Sequence, residues 1–416
     1  MSTGQTPDLR ADAFYQNPWP VYAWLREHDP VHWSEQFGAW IVTRFDDVMA
    51  IMRDPDRFSN AGRQLELLER LPADAQDRLG PIKEFYRQGG LINSDPPAHT
   101  RLRRLVQRAF TLSAVERIRP RVQAMVDALI DRHLATGCME LIRDLAKPLP
   151  SQVIAAMLGA PEKDRPQFGG WADQISRYLG AQPLTVEIAL QAQDAIVQMR
   201  DYFRGLLQQR RHNRQQDVLT AMAEADETGD VLTEQQILAS CQNLLIAGQD
   251  TTQQLIANTI AMLLAHPDQL QAVLANPTLV QAAIEETLCF EGSAHIIRRR
   301  ARWDVELRGK SIRAGQPVIM GVGAANHDPA LFDRPDEFDT RRPAEPNRHI
   351  AFGYGIHYCI GAPLAWLEGE VAVATVLRRL PGLRLADGAT LRWKNVIVER
   401  ALEQLPVAFT PSKVKS

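Results

Sequence analysis

The chain has 416 residues, 45% of them hydrophobic and 23% charged, with 47 Lys and Arg set against 50 Asp and Glu. A net charge of -3 leaves no case for a general nucleic-acid binder, which needs concentrated cations. The length allows two or three domains, or one large core able to enclose a cofactor. Cys138, Cys241, Cys289 and Cys359 stand far apart without a CxxC pair, which argues against a zinc site or a disulfide framework and fits a reducing cytoplasm.

Residues 1–12 are expected to be a flexible start. Their opening carries neither a basic cluster nor an apolar core, so neither a signal peptide nor a membrane anchor is expected. The pattern predicts a helix over 20–27, strands over 31–33 and 39–42 around Gly38, and a helix over 46–53. Residues 62–90 lack clean periodicity and end at the break Gly89-Gly90. In the next stretch His99 and Arg103 lie one helical turn apart and share a face, from which both can donate to a carboxylate. Helical spacing dominates 112–211, with breaks at Gly137, at Gly159-Ala160-Pro161 and around 180–183.

A long helix is predicted from Thr233, where Thr233-Glu234-Gln235-Gln236 has the form of a capping box, to Ala265, where His266-Pro267 stops it. Its length would be about 50 Å. The apolar stripe Ile237, Cys241, Leu244, Gly248, Thr251, Leu255, Met262 is broken at its middle by a glycine and a hydroxyl beside Asp250. An interior helical glycine costs about 1 kcal/mol against alanine, which points to the close approach of another group or a local opening. Further on, the pattern gives a helix around 283–292, strand residues within 293–307, a helix over 364–380 ended by Pro381-Gly382, and a C-terminal hairpin.

The stretch 349–363 places Cys359 in a glycine-punctuated loop before an apolar helix, with Pro363 suited to the first helical turn. A helix start stabilises an anion and favours the thiolate. A lone thiolate so presented is a candidate axial ligand to haem iron; the plain alternative is a small buried hydrophobe.

Phe352-Gly353-Tyr354-Gly355-Ile356-His357-Tyr358-Cys359-Ile360-Gly361 closely resembles the haem-binding signature of the bacterial cytochrome P450 family. The resemblance runs through nearly the whole chain. It implies a mainly α fold with small β-sheets, the single-domain cytochrome P450 fold over 1–416. Cys359 would then bind iron, with Phe352, Gly353 and Gly361 shaping its loop; His99, Arg103, Arg299 and His357 would hold the propionates. The run Arg298-Arg299-Arg300 leaves that register open by one residue. Ala247-Gly248-Gln249-Asp250-Thr251-Thr252 resembles the family's oxygen-activating motif, with Ala247 and Gly248 against the haem and Asp250 and Thr251 handling protons. Residues 62–90 match the loop over the substrate pocket and are expected to be mobile. Leu244, His295, Ile296, Ile297, Val396 and Ile397 are the expected substrate contacts, and Arg101, Arg104 and Arg108 the surface for an acidic electron donor.

The chain departs from the family pattern where Cys289 stands in place of the arginine of Glu-x-x-Arg; Glu286 is therefore expected to lean on Arg342 or to be protonated. His327 and Trp366 also stand where Arg is usual. The implied function is a cytoplasmic, monomeric haem-thiolate monooxygenase using haem b, with no bound flavin or nicotinamide. It would insert one atom of O2 into a hydrophobic small molecule of the secondary-metabolite or acyl type, free or tethered to a carrier protein, by hydroxylation in the default case. Electrons would come from a separate ferredoxin or flavodoxin system, and neither nucleic acid nor membrane is an expected partner. The alternatives are a peroxide-driven oxygenase and a haem-binding protein of the same fold without normal turnover.

Overall fold

The computed structural model describes residues 7–181, 183–224, 229–343 and 349–412, with the backbone only at Arg63. Of the segment 1–12, residues 1–6 lie outside the described residues, whereas Leu9 is buried and its N–H donates to Gln36 Oε1 at 2.9 Å. The chain groups into two compact units. One comprises Met1–Ser59, Gln123–Ala146 and Thr251–Ser416, and the other Asn60–Val122 and Lys147–Asp250.

The first unit carries every strand among the described residues. Gly38, at φ +57°, turns Val31–Ser34 back on Ala39–Val42, so that Val31 pairs with Val42. The five-stranded sheet runs in the order Val31–Ser34, Ala39–Val42, Pro317–Gly321, Ile296–Ala301, Phe58–Ser59. Ala39–Val42 and Pro317–Gly321 are parallel, and the other pairs antiparallel. Alternation along these strands divides two cores. Ile41, Ile319 and Ile296 pack with Leu25 and Ile397 on one face, while Val42, Val318 and Met320 pack with Val48 and Ile51 on the other.

Within the first core, His327 stacks on Trp19 at 3.9 Å, and its Nδ1 meets the Gly323 carbonyl at 3.0 Å. Burial holds His327 near 4 and His295 near 3, both below the ordinary 6.5. Both rings are thus neutral in the fold yet take up protons in the unfolded chain. Stability is therefore full above about 6.5 and is lost as pH falls toward the folded values, at about 1.4 kcal/mol per pH unit for each ring. Burial raises the carboxyls of Glu286 and Glu291, which act in the opposite sense. Differential scanning calorimetry should accordingly show a shallower fall of Tm between pH 6.5 and 4.5 in His327→Phe than in the parent. Parallel curves would remove His327 from the acid response.

The second unit is helical among its described residues. Phe168 on Pro166–Gly180 meets Phe203 and Tyr202 on Val186–His212 at 5.7 and 5.2 Å. Residues 62–90, which show no clean period, fold as the short helices Arg63–Glu69, Ala73–Gln76, Asp77–Leu79 and Gly80–Arg87. Helices this short are marginal alone and are held by packing. Leu68, Leu79 and Ile82 are fully buried, Gln193 bonds both Ile82 N–H and the Arg78 carbonyl, and Tyr178 donates to the Gln64 carbonyl. Gly89 and Gly90, at φ +76° and +58°, form the expected break.

The long helix is Glu234–Ala265, 32 residues. Its capping box is reciprocal: Gln236 N–H donates to Thr233 Oγ1 at 3.3 Å, and Thr233 N–H to Gln236 Oε1 at 3.1 Å. No helix among the described residues is long and apolar enough to cross a membrane.

Candidate functional site

Gly353 and Gly355 both adopt φ +71°, a conformation open to glycine, and bend the chain around Cys359. A Cβ on Gly355 would stand 3.1 Å from the Met52 carbonyl oxygen, so the loop lies directly on backbone. Cys359 N–H donates to the Phe352 carbonyl at 2.9 Å, closing the loop on itself. Gly361 then caps the helix Ala362–Arg379, with Pro363 in its first turn. Cys359 is partly exposed, three residues before that helix begins. Phe352 is held edge-on by Trp366 at 5.0 Å. His357 ends a short turn, Gly355–His357, inside the loop.

Two supports of this loop have no local sequence signal. Ala351 N–H donates to His349 Nδ1 at 3.2 Å, which requires a lone pair there and assigns the ring proton to Nε2. Nε2 then donates to Glu285 Oε2 at 3.0 Å. Asn326 Oδ1 accepts from Ile350 N–H at 3.0 Å, pinning the loop's first turn.

Glu286 is 4% exposed and leans on Arg342, as the departure at Cys289 requires. Arg342 Nε meets Oε2 at 2.9 Å and Nη2 meets Oε1 at 3.2 Å, while Asp339 N–H donates to Oε1 at 2.9 Å. Burial pushes this carboxyl up, and Arg342 pulls against that shift. The Cys289 thiol lies 3.8 Å from the Asn326 carbonyl oxygen. Cys289→Arg should therefore give no gain in Tm or haem retention, since Glu286 already has a bidentate partner and a third donor. A large gain in either measurement would show the pair to be inadequate.

On the sheet, a Cβ on Gly353 would lie 3.7 Å from Ile297 Cδ1, so the face bearing Ile297 is the face toward the cysteine loop. Ile297 pairs with Met320 and Arg299 with Val318, and residues two apart share a side. Arg299, 6% exposed, is therefore on the loop side, and Arg298 and Arg300 project from the other. Of the three arginines, Arg299 is the one on the loop side. Of the other expected substrate contacts, His295 lies just before this strand, with Tyr22 Oη at 3.0 Å and Trp19 at 5.8 Å, and Ile296 and Ile397 are buried in the first core. Val396 is half-buried between Trp393 and Leu402, whose bridge closes the C-terminal turn.

In the second unit, His99 is 1% exposed near the start of Ala98–Ala109, with Arg103 half-buried one turn later. Arg101 and Arg104 do not form a free basic surface. Both close on Asp230, through Arg101 Nη2 at 2.6 Å and Arg104 Nη2 at 2.9 Å, while Arg108 is exposed.

Along the long helix, Ala239 through Leu245 and Thr252 through Leu263 are buried, Leu244 among them, yet Ala247 is exposed and Ile246, Gly248, Asp250 and Thr251 are partly so. Nothing lies within 4 Å of where a Gly248 Cβ would stand. A core helix is thus accessible over one turn, at its glycine and hydroxyl, while its backbone stays α-helical throughout. The residues present fit a haem: the first unit offers a sulfur on a glycine-bent loop for iron and buried Arg299 for a carboxylate, and the second an accessible helix turn at Ala247 and Gly248 for the ring and buried His99 with Arg103 for a carboxylate.

The Cytochrome P450 family model matches residues 48–381. Cytochrome P450 107B1 of Saccharopolyspora erythraea is 40% identical over 98% of this chain and 99% of its own. The mycinamicin IV hydroxylase/epoxidase of Micromonospora griseorubida is 37% identical over 93% and 94%. Among solved structures, P450BioI, in complex with an acyl carrier protein bearing hexadec-9Z-enoic acid, superposes with a TM-score of 0.86 at 35% identity, covering 95% of this chain and 100% of that one. These matches establish that the chain belongs to the bacterial cytochrome P450 family, whose cofactor is a haem iron.

Proposed function

We propose that this monooxygenase acts, as a single domain over residues 1–416 and as a cytoplasmic monomer, on a hydrophobic secondary metabolite or an acyl chain. The observation that carries the reading is Cys359, partly exposed ahead of a helix start and closed in its loop by the 2.9 Å bond to the Phe352 carbonyl. Bound haem b would supply the iron at which O2 is bound and its bond cleaved. Cys359 holds that iron through its sulfur, and Phe352, Gly353 and Gly361 keep the sulfur's loop rigid. His99, Arg103, Arg299 and His357 hold the propionates by charge-assisted hydrogen bonds. Ala247 and Gly248 leave room for the ring.

Thr251 Oγ1 holds a proton donor in position, and the Asp250 carboxylate passes protons to it from outside. Ferredoxin or flavodoxin supplies the electrons. Ile297, Leu244 and Val396 line the substrate. The relatives named for mycinamicin IV and for an acyl carrier protein complex support the two substrate classes.

The experiment is NADH oxidation with a generic ferredoxin and its reductase, across macrolide-type compounds, free fatty acids and carrier-bound acyl chains. Coupled formation of an oxygenated product from one class assigns the substrate. NADH consumption without product from any of them would overturn this reading. In Thr251→Ala, product per NADH should fall by roughly 10²-fold, the low end of what one proton-transfer group contributes, while substrate-binding spectra stay unchanged. Unchanged coupling would remove Thr251 from the proton path.

A further inference from the structure

The second unit carries a groove of about 510 Å³ that shares no residue with the proposed haem and substrate set. It runs between the end of the helix Ala98–Ala109, the start of Leu112–Asp131, the end of Pro148–Met157 and the segment around Val218–Ala223. Its floor is apolar, from Ile118, Met157 and Val218, each less than a tenth exposed. Its rim bears Arg108, Arg117 and Arg121, all exposed. Arg117 and Arg121 are one turn apart on one helix and share a face.

These three guanidiniums are not neutralised within the groove. Among the described residues Arg108 and Arg121 pair with no carboxylate, and Arg117 bonds only the Ser113 hydroxyl, at 2.9 Å. The two carboxylates of the lining are engaged elsewhere. Asp217 is held by Arg210 at 2.5 Å and caps Thr220 N–H at 2.8 Å, and Glu224 faces Arg214 at 3.5 Å. Nearly buried Arg165 adds to the positive field. Its burial and the like charge of Arg121 both push its guanidinium below the ordinary value.

Surface arginines usually find carboxylates or spread into solvent; here they surround a concave apolar floor whose two carboxylates are held by other arginines. The volume falls within the roughly 300–1,000 Å³ of small-molecule sites, and a flat docking face for an acidic protein needs no such concavity. Arginine forks match phosphate oxygens bidentately. We infer that this groove binds a phosphorylated small molecule, its phosphates on Arg108, Arg117 and Arg121 and its apolar or planar body on Ile118, Met157 and Val218.

The test is isothermal titration calorimetry on the full-chain haem-loaded protein with adenosine 5′-diphosphate, inorganic pyrophosphate and adenosine. Adenosine 5′-diphosphate should bind one to one, pyrophosphate more weakly for want of the body, and adenosine without measurable heat. In the double variant Arg117→Gln, Arg121→Gln the diphosphate affinity should fall at least about tenfold, as loss of two charge-assisted forks implies. Glutamine keeps the helix propensity, and an unchanged haem spectrum and Tm show that the variant is folded. Failure of both phosphates to bind at millimolar concentration and low salt overturns the inference, as does equal affinity in the variant. Loss of binding to an acidic ferredoxin in the variant, with no heat from either phosphate, overturns it in favour of a protein-docking patch.

Discussion

Cys359→Ala is expected to abolish the strongly red-shifted Soret band of the reduced, CO-treated protein, together with all O2-dependent turnover, while the apoprotein keeps its secondary structure. The asymmetry follows from what holds the loop. Its closure is a backbone bond, from Cys359 N–H to the Phe352 carbonyl, and its bends are glycine conformations at Gly353 and Gly355. Its entry is pinned by Asn326 on Ile350 N–H and by the His349–Glu285 pair. None of these uses the sulfur, so removing it leaves the loop and deletes only the ligand. The sulfur is also well placed as an anion, ahead of a helix start with Gly361 as its cap, and a thiolate donates to iron far more strongly than a neutral group can. Cys359→Ser should give a blue-shifted band at most, because a serine hydroxyl stays protonated where a thiol ionises. Circular dichroism checks the fold, and the CO-difference spectrum checks the ligand. A red-shifted band in Cys359→Ala would transfer the ligand role to another residue.

That loop was legible because its chemistry is packed into ten consecutive residues and depends on local rules. The long helix was legible for the same reason: its capping box, stripe and Pro267 stop are all local, and the helix Glu234–Ala265 begins one residue from the predicted start. The expectation that Glu286 leans on Arg342 or is protonated comes from the family resemblance, which places an arginine partner before the cysteine loop, together with the cost of an unpaired buried carboxylate. That partner also removes the main motive for reading the chain as a haem-binding protein without turnover. What local pattern missed was set by distant partners. The helices within 62–90 exist because Gln193 and Tyr178, more than a hundred residues away, satisfy and cover them. Arg101 and Arg104 resemble a basic docking face until Asp230 is brought onto them. Arg298, Arg299 and Arg300 are indistinguishable as a sequence run, and only the pairing with Pro317–Gly321 shows which of them turns toward the cysteine loop.

Arg400→Met is expected to lower unfolding free energy by about 3–5 kcal/mol. Arg400 and Glu291 are 5% and 5% exposed, and the pair is 2.7 Å from Nε to Oε2. The guanidinium also lies 3.8 Å from the Trp393 ring centroid and donates to the carbonyls of Tyr15 and Gln16. Asn258 Nδ2, from the long helix, donates at 2.9 Å to the carbonyls of both Glu291 and Arg400. Removing the cation therefore leaves a buried carboxylate with, among the described residues, only Trp19 Nε1 as side-chain donor, at 3.3 Å, and takes a donor from two carbonyls. The double variant Glu291→Gln, Arg400→Met should recover part of the loss, because the stranded charge rather than the missing attraction dominates the cost. By contrast Asp230→Asn, at a pair more than a quarter exposed on each side, should cost no more than about 1 kcal/mol. Urea unfolding of the four proteins measures all three differences. If Arg400→Met cost no more than Asp230→Asn, water would have to reach the Glu291 carboxylate, and the tie between the N-terminal helices, the long helix and the C-terminal turn would not rest on this pair.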